Sequence, residues 1–383
     1  MKPKKFLSGL PKIFRRRGNP FLRKTELSGI SLKHNFFISG ITMSESLQSR
    51  PFFIIGAQRS GTTLLRLMLN AHSQVAIPEE GGFWKPLLRQ FKKAPRKAIA
   101  GRELEGYLRY LRDDPQFKLW LMDSTDLFEA IQNDAPLTLT DLMERTYRYY
   151  ASSNGKMIWG DKSPSFFRMI PTLSTLFPHA FFIHIIRDGR DLFLSWRKME
   201  RNKRNVSLVA LEWLFKVKKA RNDLKRIGQE RYMEIRYEDL VSMPDPILKN
   251  VCTLVGIEYE PGMLSYWKTS DQFIGAHHSD LIFKPVSTTS VAKWKRGMTQ
   301  AELDKFEWVA GGLLKDCGYE LSGSSQGGIG RIATGISELA YGLPLRGAEV
   351  FLTVANQHLS SRYGFQLYSP PVGSEAKGRA TRT

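Results

Sequence analysis

The segment Gly56-Ala57-Gln58-Arg59-Ser60-Gly61-Thr62-Thr63 constrains this chain more than any other, because of what stands on either side of it. Before it, Phe52-Phe53-Ile54-Ile55 is an unbroken apolar run of β-forming residues, the pattern of a strand buried on both faces. After it, Leu64, Leu65, Met68 and Leu69 recur at helical spacing over Thr62–Ala71. A strand, a glycine-bounded turn and a helix in that order predict an anion cradle, in which backbone N–H groups and a helix N-terminus face one negative group. The frame is that of a P-loop, except that Thr62 stands where such loops carry Lys. That Lys reaches the outer phosphates of ATP, so its replacement argues against an ATPase or a kinase. Arg59 places a positive charge inside the loop, and Thr62 and Thr63 offer hydroxyl donors. A strand–helix turn with no ligand is the plainer alternative for so short a motif.

The alternation continues to about Glu320. Met157-Ile158-Trp159, Ala180–Ile186 and Arg231–Arg236 read as strands. Helices are predicted to start at Asp161-Lys162-Ser163-Pro164 and at about Asp191, and to span Ser207–Ile227 and Pro246–Val255, the last ending at Gly256. Strands separated by helices imply an α/β fold, a P-loop-like parallel sheet flanked by helices in a single main domain. Three regions are expected: a basic flexible arm over 1–50, the α/β domain over 51–320, and a C-terminal extension of unassigned role over 321–383. The extension opens on the linker-like Ser322–Gly328 and holds a weakly amphipathic stretch, Ile332–Val354.

The 383 residues carry a formal charge of +20, which favours anionic partners without specifying a class. No nucleic-acid module is recognisable, so a non-catalytic nucleic-acid-binding role rests on charge alone and no specific nucleic acid is expected. Nine Lys or Arg fall between Met1 and Lys24, in a stretch that reads as a flexible arm, with loose docking on an anionic membrane as the alternative. No apolar run approaches the ~20 residues of a membrane span, and Phe6–Leu10 is too short for a signal-peptide core. A cytoplasmic location is expected, with loose membrane association through the arm left open. Cys252 and Cys317 lack metal-ligand spacing and read as buried thiols, one mutual disulfide being open. No other cluster has metal spacing, and no metal is expected.

A second strand–turn–helix carries Ile186-Arg187-Asp188-Gly189-Arg190-Asp191 and then Ser195. Arg187 leaves the C-terminal end of its strand, where open α/β sheets bind ligands. Ser195, about two helical turns on, can face the same anion. The alternatives are an ion pair of Arg187 with Asp188 or Asp191, and a plain surface hydroxyl for Ser195.

The stretch Phe53-Ile54-Ile55-Gly56-Ala57-Gln58-Arg59-Ser60-Gly61-Thr62-Thr63, continuing through Asn70-Ala71-His72, resembles the 5′-phosphosulfate-binding segment of sulfotransferases that use 3′-phosphoadenosine 5′-phosphosulfate (PAPS). It is most similar to the branch containing the tyrosylprotein sulfotransferases and bacterial relatives, and the resemblance runs in order over roughly Pro51–Gly297. It implies PAPS as co-substrate and a 3′-phosphate site at Arg187 and Ser195. Further nucleotide contacts are implied at Arg59, Ser60, Gly61, Thr62, Thr63, Tyr237 and Lys293, with Ser279 and Arg296 less strongly supported. In Pro78-Glu79-Glu80-Gly81-Gly82 it implies that Glu80 is the general base for the acceptor hydroxyl. Glu79 and His72 stand as alternatives, since Glu pairs are commonly solvated and other branches use a histidine. Lys162 matches the lysine that contacts the transferring group, and with Arg59 it would form an electrophilic clamp. An ion pair with Asp161 is the plain alternative for Lys162, and an exposed basic turn that for Lys293–Arg296.

The implied reaction is in-line transfer of a sulfonyl group from PAPS to a hydroxyl of a protein tyrosine, carbohydrate or small molecule. Basic stretches at Arg89–Lys97, Arg197–Arg204 and Lys216–Arg226 would suit an acidic peptide or an anionic glycan. A homodimer is left open. An ATP-dependent small-molecule kinase is the nearest rival.

Overall fold

The computed structural model describes residues 50–199, 205–269 and 280–323. The basic arm, Ser279 and the extension beyond Gly323 lie outside the described residues.

The apolar run becomes β1 (Phe52–Gly56), buried at every position. It is followed by α1 (Thr62–Asn70), the short β2 (Val75–Ala76) and α2 (Lys85–Gln90). Helices over Gly101–Asp113 and Thr125–Asn133 lead to α3 (Leu139–Ser153), which opens on a reciprocal capping box between Thr138 and Asp141. Then come β3 (Ile158–Lys162), β4 (Phe181–Ile186), α4 (Gly189–Met199) and α5 (Val206–Ile227). β5 (Tyr232–Arg236), α6 (Tyr237–Ser242), α7 (Pro244–Val255) and α8 (Gln300–Asp316) follow, with shorter helical segments between the main elements. Gly256 ends α7 in the left-handed conformation, as predicted.

The five strands are parallel in the order β2-β3-β1-β4-β5. Alternate residues of the central strands feed two cores. Phe53 and Ile55 pack with Trp159, Phe182 and Tyr147 of α3 on one face. Phe52 and Ile54 join Ile183, Ile185 and the apolar stripe of α1 on the other. A third cluster, including Phe193, Trp213 and Phe306, packs α4, α5 and α8 together.

Two sequence expectations are corrected. Asp161 and Lys162 do not start a helix: β3 runs through Lys162, and Pro164 opens a short 3₁₀ segment, Pro164–Arg168. The register explains this, since Ile54 of β1 pairs with Lys162 and prolongs the strand past the apolar residues. β2, two residues long, carries no pattern that could announce it.

The order of the strands places the site. After β1 the chain moves to one edge, returns through β3, then crosses to β4 on the opposite side. The segments leaving β1 and β4 therefore diverge, making the switch-point crevice at which doubly wound sheets bind ligands.

Candidate active site

Both predicted anion segments open onto that crevice. Arg59, Gly61, Thr62, Thr63, Arg187 and Ser195 line one cavity of about 620 Å³. Lys293 and Arg296 line it from a later segment, and Tyr237 closes it from the start of α6. Gly61 has a φ of 100°, and a Cβ there would stand 2.5 Å from the Tyr237 ring, so only glycine allows the loop to reach α1 at this point. Arg59 is also left-handed, with a φ of 71°, a conformation that costs a non-glycine residue about 1–2 kcal/mol.

What holds Arg59 in that state comes from the second segment. Arg187 Nη1 donates to the Arg59 carbonyl at 3.0 Å, and Arg59 Nε donates to Ser195 Oγ at 3.2 Å. Arg187 Nη2 donates to the Ser290 carbonyl at 2.6 Å, and its guanidinium lies 4.5 Å from the Tyr237 ring centroid. Arg187 Nε is buried without a hydrogen-bond partner among the described residues. Burial and the neighbouring Arg187 lower the Arg59 pKa, so both arginines are held where a bound anion would relieve desolvation and mutual repulsion. The ion pair weighed for Arg187 does not form: Asp188 binds Arg190 at 2.7 Å instead, and Arg190 also reaches Glu307.

Not every loop residue faces the cavity. The Ser60 hydroxyl and backbone N–H both donate to the Ala57 carbonyl, at 2.7 and 3.1 Å, and Ser60 is fully buried. Its side chain shapes the turn. Gln58 accepts from Lys216 Nζ at 2.6 Å and ties the loop to α5.

At the end of β3, beside β1, Lys162 is 2% exposed and donates to Glu80 Oε1 at 2.7 Å, while the Glu80 side chain is 41% exposed. The partner of Lys162 is thus Glu80 and not the adjacent Asp161. Glu79 turns inward, paired with Arg66 of α1 at 2.7 Å, with both side chains buried. His72 is buried as well: its Nδ1 accepts from the Gln74 N–H at 3.0 Å, and Nε2 lies 2.8 Å from the Glu258 carbonyl. Nδ1 thus serves the turn after α1, and Nε2 ties that turn to the segment after α7. Of the three candidate bases, Glu80 alone combines exposure with a cation at the end of a central strand.

Other residues at the site carried little sequence signal. Asp191, in the first turn of α4, lines the cavity; its Oδ1 accepts from the Trp294 N–H at 2.8 Å, and Oδ2 is buried without a partner among the described residues. Burial pushes its carboxyl up to about 6. Lys85 at the start of α2 is half-buried, and desolvation lowers its pKa, opposed by Glu80 and reinforced by Arg89 and Arg168. Five residues after Glu80, between Trp84 and Pro86, Lys85 was readable only as an isolated lysine. Among the described residues no His/Cys/Asp/Glu group could hold a metal.

Fold and site define an α/β protein of the P-loop-like class, with two arginine-bearing strand-end segments lining one cavity and a lysine-held carboxylate at the end of the neighbouring strand β3. The chain belongs to the sulfotransferase family, whose family model matches residues 51–261. It is 23% identical over 306 residues to protein-tyrosine sulfotransferase A of Caenorhabditis elegans, covering 71% of this chain and 68% of that protein. It is 25% identical over 316 residues to the nodulation protein NoeE of Sinorhizobium fredii, covering 73% and 69%. The matched part spans 30% of an uncharacterized Aquifex aeolicus protein and 62% of protein-tyrosine sulfotransferase 2 of Gallus gallus. Among solved structures, the sulfotransferase domain of the Synechococcus olefin synthase is 21% identical with a TM-score of 0.49, covering 71% of this chain and 97% of that one.

Proposed function

We propose that this chain transfers the sulfonyl group of PAPS to an acceptor hydroxyl. The observation that carries the reading is the convergence of Arg59, Arg187 and Ser195, from two separate strand ends, on one cavity, with the Glu80–Lys162 pair at the end of β3, the strand beside β1. Two anion-binding segments suit a nucleotide with phosphates at both 3′ and 5′ positions. Thr62, in place of a P-loop lysine, fits a donor cleaved at sulfur rather than at an outer phosphate.

Each residue then has a task. Arg187 and Ser195 hold the 3′-phosphate, with Lys293 closing over it, and the α1 N-terminus with Thr62 and Thr63 holds the 5′-phosphate. Glu80 accepts the proton of the attacking hydroxyl as its oxygen bonds to sulfur. Arg59 and Lys162 stabilise the charge left on the bridging phosphate oxygen as the S–O bond breaks. The products are the sulfated acceptor and adenosine 3′,5′-bisphosphate (PAP). Lys85, which feels the charges of Glu80, Arg89 and Arg168, supports an acceptor bearing negative charge. Acidic peptides and anionic glycans share that chemistry.

The test is transfer of radiolabelled sulfate from PAPS into cell extracts. Labelled product is expected, absent when ATP and free sulfate replace PAPS; no labelled product across several extracts would overturn the reading.

Asp191 adds a pH dependence. A phosphate bound nearby disfavours the ionised carboxylate, so its pKa rises above about 6 in the complex. Binding then takes up a proton, and the Asp191 contribution strengthens PAP affinity as pH falls from 8 towards 6. The second ionisation of phosphate, also near pH ~6, acts on any variant alike. Calorimetric PAP titrations are therefore expected to show less proton uptake for Asp191→Asn than for the unaltered protein.

A further inference from the structure

The loop that carries Glu80 straddles the end of β3. Glu80 reaches Lys162, whereas the next residue, Gly81, sits over Asp161, whose side chain leaves the strand on the opposite face from that of Lys162. A Cβ on Gly81 would stand 2.6 Å from Asp161 Oδ2 and nearer still to the Tyr147 hydroxyl. Those two groups are themselves joined: Tyr147 donates to Asp161 Oδ2 at 2.6 Å, both fully buried. The Gly81 N–H donates to Ser163 Oγ at 2.9 Å. Three consecutive residues of one strand end thus grip one loop, Lys162 by its carboxylate, Ser163 by its backbone and Asp161 by the surface it forms with Tyr147.

We infer that Asp161, acting through Tyr147 and Gly81, is a positioning residue that holds the Glu80 carboxylate in place for the transfer. The inference rests on Glu80 being the base. A short O–H···O contact of this kind is charge-assisted when the acceptor is ionised and weakens when it is protonated. Burial pushes the Asp161 carboxyl up to about 6, opposed by the Tyr147 and Ser163 hydroxyls. The charged groups around it are Glu80 from the loop, which favours protonation, and Lys162 on its own strand, which opposes it. Lys85 of α2 lies within electrostatic range. From β1 the register partner is Phe53, which brings no charge. Above about pH 6 the brace is ionised and tight; below it the brace loosens.

The test uses the full chain with Asp161→Asn and Tyr147→Phe, measured by hydrogen exchange of the segment 77–84, by PAP binding, and by sulfate transfer into the extract fraction that accepts label. Exchange of 77–84 is expected to rise several-fold in the unaltered protein as pH falls through 6, after correction for intrinsic rates. In both variants it is expected to be raised at every pH. Turnover of both should fall at least tenfold at pH 7.5, with PAP affinity within twofold and the inflection near pH 6 lost. Unaltered exchange in Asp161→Asn, or turnover lost only in proportion to folded protein or PAP affinity, would overturn the inference. If the unaltered protein transferred nothing, the proposed sulfonyl transfer would fail separately, and exchange alone would decide whether the brace exists.

Discussion

Glu80→Ala is expected to lower turnover of the proposed sulfonyl transfer by roughly 10²–10⁴-fold, the usual worth of a positioned general base, while leaving PAP binding within about twofold. The separation follows from position. Glu80 touches Lys162 at the end of β3, whereas the cavity proposed to hold the nucleotide is lined by residues that follow β1, β4 and β5 and by the later segment with Lys293 and Arg296. Steady-state transfer measured beside PAP calorimetry checks it. Labelled product formed at an undiminished rate would remove Glu80 from the chemistry without touching the nucleotide site. Glu80→Gln should behave like the alanine variant, because the amide keeps the contact with Lys162 but cannot accept the proton.

Its neighbour should behave in the opposite way. Glu79→Ala removes one partner of a buried ion pair, a change that typically costs about 3–5 kcal/mol of stability. The pair is 6% and 10% exposed, and Arg66 also donates to the Ile77 carbonyl at 3.0 Å, so little water is at hand to compensate. A fall in Tm and in the denaturation midpoint is expected, with turnover per folded molecule reduced only through any shift of the loop. A Glu79→Ala protein as stable as the original would show that the pair does not hold the fold together. The double variant Arg66→Met with Glu79→Leu should recover much of the loss, since apolar replacements of matching volume commonly do.

These adjacent glutamates illustrate what could be read from the chain and what could not. The strands β1 and β4 were legible because a strand buried on both faces must be continuously apolar, and the strand–loop–helix at Gly56–Thr63 because glycine positions and a strand–helix setting together define it. The choice between Glu79 and Glu80 depended on Arg66, thirteen residues earlier on α1, whose direction becomes fixed only when α1 packs on the sheet. The partner of Lys162 was legible in principle: successive strand residues point to opposite faces, so Asp161 could not have paired with it once β3 was known to reach that far. The register against β1 fixed that length, and a register is a tertiary fact. Tyr147 offered no signal at all, being one aromatic among several on α3 until the fold brings it under Gly81.

The Arg66–Glu79 pair also bears on redesign. It rivets the helix that follows the Gly56–Thr63 loop to the segment carrying Glu80, so the proposed donor and acceptor sides share one mechanical part. A chimera that imports only residues 77–90 from a relative, in order to change the acceptor, would break the Arg66–Glu79 pair. The exchangeable unit is therefore the segment together with position 66, and grafts drawn on that boundary should remain folded where shorter ones collapse.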